Sequence, residues 1–242
     1  ISQQNADTIY VSATRYKLGD YSPYLFLSKN GGKSWSSIVG DLDSNEIVRV
    51  VRADPHCEGL LFIGTETGLF YSQNDGKNWR RMKGAFPTVP VYDIKIKNSD
   101  LVVATHGRSF WILDDFSPLR KIKPTQNEIQ LFTPKDTVRT RLAWSAGSSF
   151  TKEGINYGPA FGIGGASEMT VLSNGKKVRR YLDVGENPPN GALIHYFLPA
   201  DFAGEFELSI FDSKDKLVKA YKVGKNNAVS NNSPSTNIGL NR

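Results

Sequence analysis

One eight-residue stretch occurs twice. Ser28-Lys-Asn-Gly-Gly-Lys-Ser-Trp35 returns as Ser72-Gln-Asn-Asp-Gly-Lys-Asn-Trp79. Each copy follows an apolar run, Tyr24–Leu27 or Leu69–Tyr71, and each leads into a short strand-like segment, Ser36–Val39 or Arg80–Met82. The residue types describe a tight turn. Gly32 and Gly76 supply backbone conformations that a side chain forbids. Asn30, Asn74 and Asp75 can fold their side chains back onto nearby backbone groups. The indole of Trp35 or Trp79 has a large apolar area to bury against neighbouring strands. Such a turn staples a hairpin and is no reaction centre.

A repeat of about 40–50 residues built from short strands and tight turns is the signature of a propeller blade. The strands fit that phase. The first unit has Thr8–Ser12, a long loop Ala13–Pro23, Tyr24–Ser28 and Ser34–Val39, and lacks an innermost strand. A full unit follows: Glu46–Arg52, Leu60–Gly64, Gly68–Ser72 and Asn78–Met82. A third begins with Val91–Ile96, Leu101–Thr105 and Ser109–Leu113, then runs into Asp114-Asp115. That gives about two and a half four-stranded blades, too few to close a ring. The expectation is a piece of a longer protein, with its other blades N-terminal to Ile1. The C-terminal half also reads as strands: Ile129–Phe132, Thr137–Leu142, Met169–Leu172, Lys177–Leu182, Leu193–Leu198, Glu205–Phe211 and Lys216–Val223. Asn174-Gly175 marks a type I′ hairpin turn, and no helical period appears. The predicted class is all-β, with a partial β-propeller over 1–122, a β-sandwich over 123–223 and a polar linker or tail over 224–242.

Composition narrows the function classes. With 39% hydrophobic and 22% charged residues, the 242-residue chain reads as a globular protein. Its apolar runs are too short to span a bilayer. Cys57 is its single cysteine, which excludes an intrachain disulfide or a cysteine-rich metal site. The net charge of +6 is scattered, with no aromatic-interleaved basic run, so nucleic acid is not an expected partner. His56 and His195 have no ligand-spaced companions, and neither a metal nor a cofactor is expected.

The two turns resemble Asp-boxes (BNR repeats), Ser-x-Asp-x-Gly-x-Thr-Trp, with Asn30 and Asn74 at the Asp position and Ser34 and Asn78 at the Thr position. Thr14–Asp20, Val48–Pro55, Gly64–Gly68 and Ala104–Asp115 resemble the last blades of large secreted bacterial sortilin-like or glycosyl-hydrolase BNR-repeat proteins. In those proteins an Ig-like sandwich of the flagellar-hook-capping type follows the propeller. Here Glu186–Ala192 through Glu207–Asp212 is similar to it, and Gly239–Arg242 looks like the start of a further motif. The resemblance implies a secreted or cell-envelope location. It also places the box on the outer hairpin of each blade, away from any active site.

The boxes therefore point to the opposite rim. If they join the third and fourth strands of a blade, the connections between the second and third emerge on the other face. That face is expected to gather Arg15, Tyr16, Asp20, Tyr21, Glu66, His106 and Arg108, with Arg49, Tyr92 and Asp93 at the same mouth. Two readings follow. In the first, the rim is a non-catalytic surface for a protein, peptide or glycan. In the second, the chain is part of a sialidase- or xyloglucanase-like glycoside hydrolase, with Glu66 and Asp93 as candidate carboxylates and further ones on other blades. A polar rim also has a purely structural reading, with the Arg108 turn salt-bridged to a neighbouring blade.

Overall fold

The computed structural model describes residues 1–82, 86–123, 127–138, 153–158, 165–173, 175, 177–182, 191–199, 202, 204–223 and 239–241. These form an all-β protein in which the helical elements among the described residues are two 3-10 turns, Tyr16–Leu18 and Ser117–Arg120. The chain divides into two compact units. One comprises Ile1–Phe116 with Arg139–Pro188, the other Ser117–Val138 with Pro189–Arg242.

In the first unit three antiparallel sheets stack. Sheet 1 is β1 (Ile9–Arg15), β2 (Asp20–Ser28) and β3 (Ser36–Ser37). Sheet 2 is β4 (Val48–Ala53), β5 (Leu61–Thr65), β6 (Leu69–Ser72) and β7 (Arg80–Arg81). Sheet 3 is β8 (Val91–Lys97), β9 (Asp100–Thr105) and β10 (Phe110–Leu113). The strand sequences record this layering. Every residue of β5 is buried, because sheet 2 has a neighbour on both faces and needs a continuous apolar run. In β8, Val91 and Ile94 are buried while Tyr92, Asp93, Lys95 and Lys97 are exposed, the alternation of a sheet covered on one face. Leu25, Leu27, Ile38, Val48, Val51, Leu61, Ile63 and Trp79 fill the space between sheets 1 and 2. Between sheets 2 and 3, Phe62 meets Phe116 edge-to-face at 5.0 Å. Gly64 lets the layers approach: a Cβ there would lie 2.4 Å from Val91 Cγ1 and 2.7 Å from Val50 Cγ1.

The repeated turns are alike bond for bond. Ser28 Oγ accepts the Gly32 N–H at 2.9 Å, and Asn30 Oδ1 accepts the Ser34 N–H at 2.9 Å. In the second copy Ser72 Oγ accepts the Gly76 N–H at 2.9 Å, and Asn74 Oδ1 accepts the Asn78 N–H at 3.0 Å. In each copy the Asn amide adds a bond, to Ser34 or to Asn78. The tryptophans differ. Trp79 is 7% exposed, its indole N–H donating to Ile38 O at 3.1 Å across the sheets. Trp35 is 46% exposed, which corrects the expectation that both are buried. It stands at the start of the stack, where no described sheet precedes sheet 1 to cover it.

The loop expected over Ala13–Pro23 is largely strand. β1 and β2 extend to the pair Arg15↔Asp20, and the 3-10 turn with left-handed Gly19 (φ 76°) closes them. Asp114-Asp115 ends sheet 3: the Asp115 N–H donates to Asp100 Oδ1 at 3.0 Å and the Phe116 N–H to Ser99 O at 2.8 Å.

The first unit also contains the sheet β11 (Gly154–Gly158), β12 (Gly165–Val171) and β13 (Lys177–Tyr181). The second holds β14 (Gln130–Leu131) paired with β15 (Tyr196–Leu198), which pairs in turn with β16 (Gly239–Asn241). It also holds a hairpin of β17 (Phe206–Phe211) and β18 (Leu217–Val223). The expected turn residue Asn174, the motif stretch 186–190, the strand end 139–142 and the linker 224–238 lie outside the described residues.

Candidate functional site

The candidate site is made by two features that sheets 2 and 3 repeat. The first strand of each carries a β-bulge near its start, between Val48 and Val50 in β4 and between Val91 and Asp93 in β8. The residues in those bulges are Arg49 and Tyr92. Bulges break the alternation of side chains and re-aim them. The second feature is the turn after a buried or half-buried threonine. Thr65 Oγ1 donates to Gly68 O at 3.1 Å, and Thr105 Oγ1 donates to Ser109 O at 2.7 Å. The next residue is tied to the segment before the sheet's first strand: the Glu66 N–H donates to Ile47 O at 3.0 Å and the His106 N–H to Pro90 O at 2.9 Å. Each sheet thus sets one bulge residue beside one turn residue, Arg49 with Glu66 and Tyr92 with His106.

These pairs join into a ladder across three sheets. Arg49 Nε donates to Glu66 Oε1 at 2.6 Å, and its Nη2 bonds the same oxygen. The guanidinium carbon lies 5.1 Å from the Tyr16 ring centroid and 4.5 Å from that of Tyr92. Tyr92 also stacks on His106, with centroids 5.1 Å apart and planes 16° from parallel. The order is Tyr16, Arg49, Tyr92, His106. Burial alone would lower the Arg49 pKa, but the Glu66 bond and charge, with Tyr92 and Tyr16, raise it above the ordinary arginine value. The Arg49 and Glu66 side chains are only 17% and 28% exposed. Arg49 joins the sheets through Tyr16 and Tyr92, and Glu66, on its own sheet, holds it in place.

The rest of the rim is open. Arg15 forms a second cluster within sheet 1: Nη1 lies 3.3 Å from Asp20 Oδ2 and donates to Tyr24 Oη at 3.2 Å, while the Tyr24 hydroxyl donates to Asp20. The Tyr24 bond, followed by those from Ser22, holds the Asp20 carboxyl below the usual range. Asp93 pairs with Arg52, whose Nε donates to Ile94 O at 2.9 Å. Arg108 is exposed and held through its backbone, its N–H donating to Thr105 Oγ1 and its carbonyl accepting the Trp111 indole N–H. Among the described residues no carboxylate pairs with its guanidinium. Tyr21 is also exposed.

Of the residues that the sequence places on the rim, the structure therefore joins Tyr16, Arg49, Glu66, Tyr92 and His106, and it groups Arg15 with Asp20. Arg52 and Tyr24 are the members that sequence reasoning missed. The facing of β4 and β8 points to the first, since Arg52 and Asp93 lie on neighbouring sheets, and nothing short of the register Ala13↔Tyr24 points to the second. Among the described residues no cluster of His, Cys, Asp and Glu suits a metal ion, and no helix is long and apolar enough to cross a membrane.

The class so defined is an all-β protein of stacked repeat sheets with an aromatic and cationic rim. No family model matches the chain, and neither does any curated protein. Among solved structures, one described as "YCF48 bound to D1 peptide" is similar at a TM-score of 0.30 and 20% identity, covering 43% of this chain and 31% of that one. This chain spans less than a third of that protein's length, and so partial an overlap assigns neither fold nor ligand.

Proposed function

We propose that the chain is a binding portion of a secreted or envelope-associated β-propeller protein, with sheets 1 to 3 as successive blades followed by an Ig-like module. It presents its rim to a protein, peptide or glycan. The observation that carries the reading is the rim itself. Arg15, Tyr92, His106 and Arg108 are exposed, and Arg49, bonded to Glu66, stacks between Tyr16 and Tyr92. Arginine and aromatic side chains on rigid supports suit recognition of acidic or planar groups. The apolar faces at both ends of the stack, Val11 on sheet 1 and Phe110 with Ile112 on sheet 3, support further blades packing there.

The glycosidase reading is the weaker. Glu66 and Asp93 are each bonded to a guanidinium, so neither stands free to attack a sugar or protonate a leaving group. The test displays the chain to peptide and glycan arrays beside the triple variant Arg15→Ala, His106→Ala, Arg108→Ala. Retained ligands that the triple variant loses support the reading. Arrays that retain nothing, or hits that the variant keeps, refute it. Turnover of a chromogenic glycoside that Glu66→Gln abolishes would establish the enzyme instead.

A further inference from the structure

Sheets 2 and 3 build the same kind of turn after Thr65 and Thr105, but only in sheet 2 does a side chain of the protein cap it. The Glu66 N–H bonds Ile47 O and the His106 N–H bonds Pro90 O, so Glu46 and Val89, one residue earlier, hold equivalent places. Glu46 is buried, 8% exposed, and its carboxylate closes the turn. Its Oε1 accepts the Thr67 N–H at 3.3 Å and the Thr67 hydroxyl at 2.8 Å. Arg81 supports the same residue, its Nη1 donating to Thr67 Oγ1 at 3.1 Å. A carboxylate seated on the turn's amide is thus a bonding pattern that these sheets already use.

Sheet 3 has no such cap. Val89 is buried at the place of Glu46 and offers no side-chain acceptor. Gly107 follows His106 as Thr67 follows Glu66. The turn is one residue longer, because the Thr65 N–H bonds Gly68 O whereas the Thr105 N–H bonds Ser109 O at 3.2 Å. Thr105 Oγ1 accepts the Arg108 N–H, and among the described residues the Gly107 N–H has no acceptor. Gly107 has φ 97°, a conformation that favours glycine, and a Cβ there would meet nothing within 4 Å. Open space therefore lies beside this amide. Arg108 is next in the turn and exposed, and His106, also exposed, is stacked on Tyr92.

We propose that the turn Thr105–Ser109 receives a glutamate carboxylate from an acidic peptide, doing for sheet 3 what Glu46 does for sheet 2. The Gly107 N–H and the Arg108 guanidinium donate to the carboxylate, and the His106 ring flanks it. Bonds between ionised partners are roughly twice as strong as neutral ones, and a guanidinium can grip both carboxylate oxygens. A peptide is favoured over an acidic sugar because the counterpart in sheet 2 is itself a protein side chain, carried on the segment that bonds the turn through Ile47 O. The net charge of +6 also attracts an acidic partner. The inference rests on the rim reading and narrows its ligand to acidic peptides.

The test titrates the whole chain, at fixed ionic strength, with a fluorescent peptide of alternating Ala and Glu and with its Ala-Gln counterpart, read by anisotropy. Saturable binding of the Glu peptide is expected, at least about tenfold tighter than that of the Gln peptide. Arg108→Gln keeps the turn's backbone bonds to Thr105 and Trp111 and should weaken the Glu peptide by a similar factor. Lys33→Gln removes an exposed cation from the Ser28–Trp35 turn and should change binding less than about twofold. In amide NMR spectra the Gly107 signal should shift most. Equal binding of the two peptides, equal weakening by Lys33→Gln and Arg108→Gln, or no saturable binding overturns the proposal. So does Arg108-dependent binding of a sialylated oligosaccharide alone, which would assign the turn to an acidic sugar. If arrays retain only carboxylate-free ligands that the triple variant loses, the rim reading stands and this inference fails.

Discussion

Replacing Arg49 by Met keeps most of the stem's volume and removes the guanidinium from between Tyr16 and Tyr92. Two cation–π contacts are lost, at 5.1 and 4.5 Å. Each is worth about 0.5–1 kcal/mol when exposed and about 2 when desolvated. The bonds to Glu66 go as well, and a charge-assisted bond contributes about 1.5–3 kcal/mol. With 17% and 28% of the two side chains still exposed, water recovers part of the loss. The expected net cost is about 2–4 kcal/mol. Urea unfolding followed by tryptophan fluorescence reads it. For a slope of about 1–3 kcal/mol/M, a loss of 3 kcal/mol lowers the midpoint by about 1–3 M. Glu66→Gln alone also destabilises, and the double variant costs less than the sum of the two, with a coupling of about 1–3 kcal/mol. A midpoint shift below about 0.3 M for Arg49→Met would refute the reading of Arg49 as a stitch between sheets, and strict additivity with Glu66→Gln would refute Glu66 as the group that holds it there.

Other outcomes follow from single contacts. Ser72→Ala leaves the Gly76 N–H without its acceptor in a buried turn and should cost about 1–3 kcal/mol in the same unfolding assay. Trp79→Ala should cost about 3–5 kcal/mol, as expected for a buried aromatic, and Trp35→Ala clearly less because half of its surface is already wet. In the second unit, burial pushes the Tyr196 phenol up to about 12, above the ordinary value of about 10. Its raised folded-state pKa contributes stability that is complete below pH about 10 and is lost as pH rises through about 12. Absorbance at phenolate wavelengths should show late titration that Tyr196→Phe diminishes, while Tyr10, raised by burial and by Asp75, continues to titrate late.

What could be read from the sequence was what is local. The Ser-Asn-Gly-Trp turns carry their bonding partners within five residues, so two copies announced both the hairpins and the phase of the strands. The full burial of β5 was legible as an unbroken apolar run. The outer strands β3 and β7 were expected to be longer, but they keep only two paired residues each. Their sequences, Ser36-Ser37 and Arg80-Arg81, have nothing to bury. The β1–β2 arm was missed because its pairing rests on Gly19 and on the Arg15–Asp20–Tyr24 cluster, and polar residues of that kind also suit a loop. Topology suggested the rim residues as neighbours. Their bonding was not legible, since the contacts of Tyr16 and Tyr92 with Arg49 join residues over thirty positions apart and depend on two bulges. Aligning Thr65-Glu66 with Thr105-His106, and Val48-Arg49 with Val91-Tyr92, is the signal that exposes the pairs.

The rim as a binding surface is the claim on which the functional account turns, and array binding by the whole chain, wild type against the Arg15→Ala, His106→Ala, Arg108→Ala variant, tests it most directly. The account predicts retained peptide or glycan ligands whose signal falls at least about tenfold in the variant, a loss of about 1.4 kcal/mol or more, with its urea midpoint little changed. Ligands bound equally by both proteins, or by neither, would contradict it.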